Sequence, residues 1–220
     1  MNTAGLNRLL VARMVKPVLF ATCLLPALWL VYAAAFDRLG ANPTEALIRS
    51  TGDWTLRMLC LVLAVTPLRV VLKLPALARL RRMLGLYVYV YAALHLLCYA
   101  GFDMGLDVDD IARDIAKRPF ILVGFTAFLL LTPLAATSWS RAIRWLGAAR
   151  WQLLHRLVYA VAVLAILHFY WMRAGKHNFA EVQVYGTVLG SLLAWRLWRA
   201  WSGQRSRSAV GRLGGDQGLR

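Results

Sequence analysis

Residues 151–172 read WQLLHRLVYAVAVLAILHFYWM. The run holds one arginine, no lysine and no carboxylate, and it contains two histidines, His155 and His168. About 17–25 mainly apolar residues are what an α-helix needs to cross the hydrocarbon core of a bilayer. Lipid offers no partner to free backbone N–H and C=O groups, so a helix is the form such a run must take. Imidazole is costly in hydrocarbon unless a hydrogen bond or a metal ion engages its nitrogens, so histidines at this depth are functional candidates.

Working outward, five more runs of this kind are found, at 17–36, 54–74, 83–102, 119–138 and 179–201. The composition agrees: 60% of the 220 residues are apolar, 16% are charged and the mean hydropathy is +0.57. A soluble domain has about 45–50% apolar and about 25% charged residues. An ordinary soluble enzyme and a disordered chain are both excluded. The expected architecture is an all-α membrane protein, a bundle of six transmembrane helices. It divides into an N-terminal segment (1–16), the membrane domain (17–201) and a flexible Gly-, Ser- and Arg-rich tail (202–220). The N-terminal apolar run ends in Ala33-Ala34-Ala35 like a signal peptide. A signal core is only about 7–15 residues long, so the run is expected to stay as the first span.

The net charge of +16 is explained by topology. With the N-terminus in the cytoplasm, 17 of the 26 basic residues fall on the inner side, and every carboxylate but Asp216 falls on or beside the outer side. This is the positive-inside pattern and puts both termini in the cytoplasm. No basic face or nucleic-acid module accompanies the charge, so no nucleic-acid partner is expected. The inner basic rim suits anionic lipid. The outer segment 103–118 is acidic and offers a docking surface. Most tryptophans and tyrosines fall near span ends as an interfacial belt.

Cys23, Cys60 and Cys98 lie in spans, are odd in number and form no Cys-x-x-Cys. They read as small buried apolar residues rather than disulfide or cluster ligands. Gly186-x-x-x-Gly190 is a weak helix-packing signal. No carboxylate or lysine is expected deep in a span core, which argues against ion-coupled transport. Three of the four histidines, His95, His155 and His168, lie within spans; His177 falls in a short outer loop.

At 1.5 Å per residue, His95 and His168 stand about 20 and 27 Å from the inner edge, and His155 about 8 Å. The spans carrying His95 and His168 run the same way, so these two rings are matched in depth and suit haem iron held between two helices. His155 would serve a second, inner centre. Thirteen residues along a straight helix leave it about 140° from the His168 face, so a π-bulge or tilt is needed. Fourteen residues before His95, on nearly the same face, stands Arg81, a poor iron ligand but a good partner for a propionate or phosphate. The inner site therefore stays open between a five-coordinate haem, ligation from elsewhere (Gln152 or water), and another anionic cofactor. Tyr87, Tyr91 and Tyr99 are read as packing residues, with flanking a macrocycle as the alternative.

Several runs carry a family resemblance: Thr66-Pro67-Leu68-Arg69, Arg81-Arg82-x-x-Gly85-Leu86 before His95, Lys117-Arg118-Pro119-Phe120 with Gly124, Thr132-Pro133-Leu134-Ala135-Ala136-Thr137-Ser138, Trp151-x-x-Leu154-His155-x-Leu157-x-Tyr159, and Leu167-His168. Together they resemble the MsrQ (YedZ) family, within the ferric-reductase-like membrane domains. That family provides the haem-binding membrane subunit of a periplasmic protein-methionine-sulfoxide reductase system. The resemblance implies haem b, one or two copies, with His95, His155 and His168 at the haem-associated, metal-binding positions. It also implies FMN, the bacterial inner membrane, and electrons from quinol or a cytosolic flavin reductase. The implied acceptor is a periplasmic molybdopterin-containing subunit (MsrP-like), forming a heterodimer. Arg81 departs from the two-histidines-per-span pattern of the wider group and belongs to the candidate cofactor site. Thr-Pro-Leu recurs at 66–68 and 132–134, a hint of a helix-pair repeat.

No segment outside the spans approaches the roughly 100 residues of a flavin or nicotinamide domain, and no Gly-x-Gly-x-x-Gly occurs. Both ends of the electron path are expected on other molecules. Two alternatives stand beside this reading: a direct ferric or metal reductase, and a non-redox membrane assembly subunit.

Overall fold

The computed structural model describes residues 3–174 and 179–215, with 203–215 described by backbone only. His177 and the tail residues 216–220 lie outside the described residues. Ten α-helices follow in order: α1 (Thr3–Val11), α2 (Val15–Ala35), α3 (Pro43–Val71), α4 (Arg81–Cys98), α5 (Val108–Lys117), α6 (Pro119–Ala136), α7 (Ser140–Leu146), α8 (Ala148–His155), α9 (Leu157–Ala174) and α10 (Ala180–Gly215). A 3₁₀ turn (Pro75–Arg79) precedes α4 and a π turn (Tyr99–Asp103) follows it. No strand occurs among the described residues.

Among the described residues, five helical stretches are long and apolar enough to cross a membrane: α2, α3, α4 with its π turn, α6, and α8 with α9. The expected sixth, α10, does not reach that hydropathy. Glu181, Gln183, Arg196 and Arg199 dilute it. Its helix runs on to Gly215, into the segment expected to be the tail.

Two helix pairs, α3 with α4 and α6 with α9, make the largest packing interfaces, and α4 also contacts α6. The core lies between them, where Leu59, Val88, Tyr91, Val161 and Leu189 are essentially without exposure. α2 stands at the edge and buries only Cys23, Leu30 and Ala33. Two phenols tether it: Tyr87 Oη donates to the Phe20 carbonyl (2.8 Å) and Tyr91 Oη to the Cys23 carbonyl (2.7 Å). Val18, Leu25, Trp29 and Val31 face outward from α2 at more than half exposure, the surface a lipid-facing helix presents.

The start of α3 departs from expectation. It begins at Pro43, well before residue 54, because local chemistry starts it there. The Asn42 side chain accepts from the Glu45 N–H (3.1 Å), and Pro43 occupies the first helical position, where a missing N–H costs nothing. This brings Gly52 and Asp53 into the helix. Asp53 stands beside the glycine that faces His95, just before the apolar run of α3. The Gly186-x-x-x-Gly190 signal marks no close approach either: a Cβ at either position meets nothing within 4 Å.

Candidate functional site

The histidines of α4 and α9 come together. Their ring centroids lie 6.2 Å apart with planes at 78°. His95 Nδ1 donates to the Ile48 carbonyl of α3 (2.8 Å), with Thr51 Oγ1 at 3.5 Å. His168 Nδ1 donates to the Phe120 carbonyl of α6 (2.6 Å). A carbonyl cannot donate, so in each ring Nδ1 carries the proton and the Nε2 lone pair is left free. Fixing the second nitrogen in this way is how proteins orient metal-bound imidazole.

Both rings line one cavity of about 270 Å³. Its walls are apolar, with Leu59, Val88, Leu131 and Val161 among them. Its polar residues gather toward one end, where Arg49, Asp53, Asp103 and Arg118 stand. Arg49 pairs with Glu45 (3.4 Å) and Arg118 with Asp114 (2.8 Å). Tyr99, the one tyrosine of the expected trio on the cavity wall, donates to Asp114 (2.8 Å). Asp114 thereby joins α5 to the cavity mouth. Tyr87 and Tyr91 instead point to α2.

The donor set fits haem iron. With imidazole–metal bonds of about 2 Å and about 1.1 Å from ring centre to nitrogen, two opposed ligands place their centroids about 6.2 Å apart. The separation found is 6.2 Å. An apolar slot with cations at one end also matches an apolar macrocycle with two carboxylates along one edge.

His155 is not part of this cavity. Its ring stacks on Trp151 (centroids 3.9 Å apart), and its Nδ1 donates to the Trp151 carbonyl (3.0 Å). The distortion the sequence demanded is a break at Arg156 between α8 and α9, not a π-bulge. Arg156 N donates to the Leu153 carbonyl and Tyr159 N to the Arg156 carbonyl, each three residues back. The His155 Nε2 is sealed from solvent and makes no hydrogen bond of good geometry; the Leu134 carbonyl, which accepts from Ser138 Oγ, lies nearby.

Arg81 lies within electrostatic reach of His155, Arg69, Arg196 and Tyr159. Arg196 donates to Tyr159 Oη (3.0 Å) and to the Leu63 carbonyl (2.7 Å), leaving its buried Nε unpartnered. This second centre is cationic.

Sequence reasoning missed Gly52, Asp53 and Arg173, and singled out Gly124 only as part of the family resemblance. The Arg173 side chain is 3% exposed and pairs with Glu181. The signal that could have found Gly52 and Asp53 is the Asn42-Pro43-x-Glu45 helix start.

Residues 51–166 match the family model described as the ferric reductase like transmembrane component. Over 93% of both chains, 64% of positions are identical to the protein-methionine-sulfoxide reductase heme-binding subunit MsrQ of Polaromonas naphthalenivorans. The chain belongs to the MsrQ family. The MsrQ of Ralstonia nicotianae is 52% identical over 90% of this chain and 92% of its own, and that of Herminiimonas arsenicoxydans 48% over 90% of each. No solved structure matches. The stretch of MsrQ-family similarity takes in α3, α4, α6 and α9, the four helices that build the histidine cavity.

Proposed function

We propose that this chain is the haem-binding membrane subunit of a protein-methionine-sulfoxide reductase system and carries electrons across the inner membrane to a periplasmic catalytic partner. The observation that carries the reading is the His95–His168 pair at haem-ligating separation in an apolar cavity. The MsrQ relatives, described as heme-binding subunits, support it independently.

His95 and His168 would hold haem b through Nε2, and the Ile48 and Phe120 carbonyls keep both rings in the tautomer that offers the lone pair. Arg49 and Arg118 take the propionates. The apolar walls exclude water, which keeps the site dry and its polarity low. Bound haem supplies a one-electron carrier. Asp53 is flanked by Arg49, Arg57, Arg173 and Glu181, so the cavity mouth holds charges of both signs. His155 and Arg81 form the second cofactor site at the other end of the bundle. His155 Nε2 offers an unused lone pair, and Arg81, Arg69 and Arg196 offer cations to propionates or to the phosphate of FMN.

In this reading α10 is the sixth span, both termini are cytoplasmic and the acidic segment with α5 faces the periplasm. A molybdopterin-containing partner docks there, forming a heterodimer. Quinol or a cytosolic flavin reductase delivers electrons from the inner side.

A reduced-minus-oxidised spectrum of the purified protein, with a haem-to-protein ratio, tests this. The intact chain gives b-type bands, and His95→Ala or His168→Ala removes those of the cavity haem. A protein expressed with ample haem that shows no such bands ends the proposal.

A further inference from the structure

The two histidine sites are built alike. In each, the accepting carbonyl lies four residues before a glycine: Ile48 before Gly52 in α3, and Phe120 before Gly124 in α6. Each glycine faces the ring that its own helix holds. A Cβ on Gly52 would stand 3.2 Å from His95 Cε1 and Nδ1. A Cβ on Gly124 would stand 2.8 Å from the same atoms of His168. The first distance demands a small shift of the ring; the second is below any tolerated contact. The spacing repeats along the chain, with 72 residues between the glycines and 73 between the histidines. The site itself is thus repeated, α3–α4 answered by α6–α9, in a register the Thr-Pro-Leu runs at 66 and 132 do not share.

We propose that Gly52 and Gly124 are positioning residues for the haem ligands: each removes the side chain that would otherwise stop an imidazole from lying against the neighbouring helix and donating to its carbonyl. This rests on the haem reading above. Ring direction is the quantity the glycines control. Nδ1 reaches a carbonyl one helical turn before the glycine only when the ring edge slides across the bare Cα. That contact fixes the rotation of the ring about its bond to the helix and the aim of Nε2. The two contacts together set the 78° between the planes. Nearly perpendicular imidazoles on ferric haem give a strongly anisotropic low-spin resonance with a large leading g value, and turning one ring toward the other lowers that value. The two positions are not equivalent. His168 has the shorter hydrogen bond and the tighter glycine, so it has less room to give.

The test uses the full-length protein in detergent, with Gly52→Ala, Gly124→Ala, His168→Ala and a control, Gly85→Ala. Gly85 is a helical glycine whose added Cβ meets Val62 only at 3.8 Å, an ordinary contact. Haem content, low-temperature electron paramagnetic resonance and circular dichroism are measured on each. Disturbing the group that orients a metal-bound histidine weakens metal binding about 10–100-fold. Gly124→Ala is expected to hold haem at least about tenfold more weakly, or to show high-spin ferric signal, with its helix content kept. Gly52→Ala keeps its haem with a lowered leading g value, and Gly85→Ala matches the parent. If Gly124→Ala does not accumulate, Gly52→Ala decides alone, a shifted g value supporting the proposal and an unshifted one overturning it. Parental loading and g values in Gly124→Ala, with His168→Ala depleted of haem, overturn the proposal while leaving the haem reading intact. Parental spectra in His168→Ala overturn the haem reading itself.

Discussion

Arg49 and Arg118 are the cavity-lining cations, and each already has a carboxylate partner, Glu45 in the first turn of α3 and Asp114 in the last turn of α5. Their side chains are 39% and 57% exposed, so water screens part of any attraction they exert. Replacing both with Ala is expected to cost haem binding about 1–2 kcal/mol, faster haem loss to apomyoglobin being the readout. An unchanged loss rate removes them from the propionate role. At this scale the sequence was unevenly readable. An imidazole inside an apolar run is expensive, so His95, His155 and His168 announced themselves from chemistry alone. A glycine announces nothing, because its meaning depends on what lies opposite. Gly52 and Gly124 matter only because an imidazole from another helix arrives there, and that meeting is not written in either helix.

Among the helices, α2 buries only three residues against the bundle, and two tyrosine hydroxyls add to its hold. Removing both with Tyr87→Phe and Tyr91→Phe leaves the Phe20 and Cys23 carbonyls to their helix bonds and deletes two hydrogen bonds, each contributing about 0.5–1.5 kcal/mol. A loss of about 1–3 kcal/mol in detergent unfolding is expected, with haem content unchanged because neither phenol lines the cavity. At the far side α10 buries Leu189 in the core and adds contacts made by charged side chains. Arg57 Nε donates to Tyr185 Oη (3.1 Å), and buried Arg173 pairs with Glu181. Glu181→Gln strips the carboxylate from a buried guanidinium. Breaking a buried pair costs about 3–5 kcal/mol, and with Glu181 half exposed the expected cost is nearer 2 kcal/mol, seen as a lowered melting temperature. Hydropathy located α2, α4, α6 and α9 well because their apolar runs are unbroken. It placed the start of α3 late, because Glu45, Arg49 and Asp53 interrupt the apolar pattern while the capping chemistry at Asn42 and Pro43 begins the helix. It could not show the break at Arg156, where three-residue hydrogen bonds replace four-residue ones without a proline or glycine to mark the place.

For the whole molecule, the two candidate sites differ in the charge around them, and the proposed electron path takes its direction from that difference. The histidine cavity ends among Arg49, Asp103 and Arg118, next to α5, whereas His155 lies near Arg81, itself close to Arg69 and Arg196, at the other end of the bundle. One site is therefore close to the acidic α5 segment and the other to the basic rim. Reporter fusions after residue 107 and after residue 203 are expected to fall on opposite sides of the membrane, with alkaline phosphatase active only at the first. A two-centre path makes a sharper demand, because the centres can be separated by mutation. His155 touches neither His95 nor His168 and contributes nothing to the cavity wall. His155→Ala should therefore keep the cavity haem, its low-spin resonance and its reduction by dithionite, a small reductant that reaches the haem directly. What it should lose is reduction of that haem from the cytoplasmic side, by at least about tenfold in rate if a bound cofactor depends on His155 as on other metal-orienting groups. Donor-driven reduction at the parental rate would show that electrons reach the cavity without His155, and the inner centre would then have no part in the path.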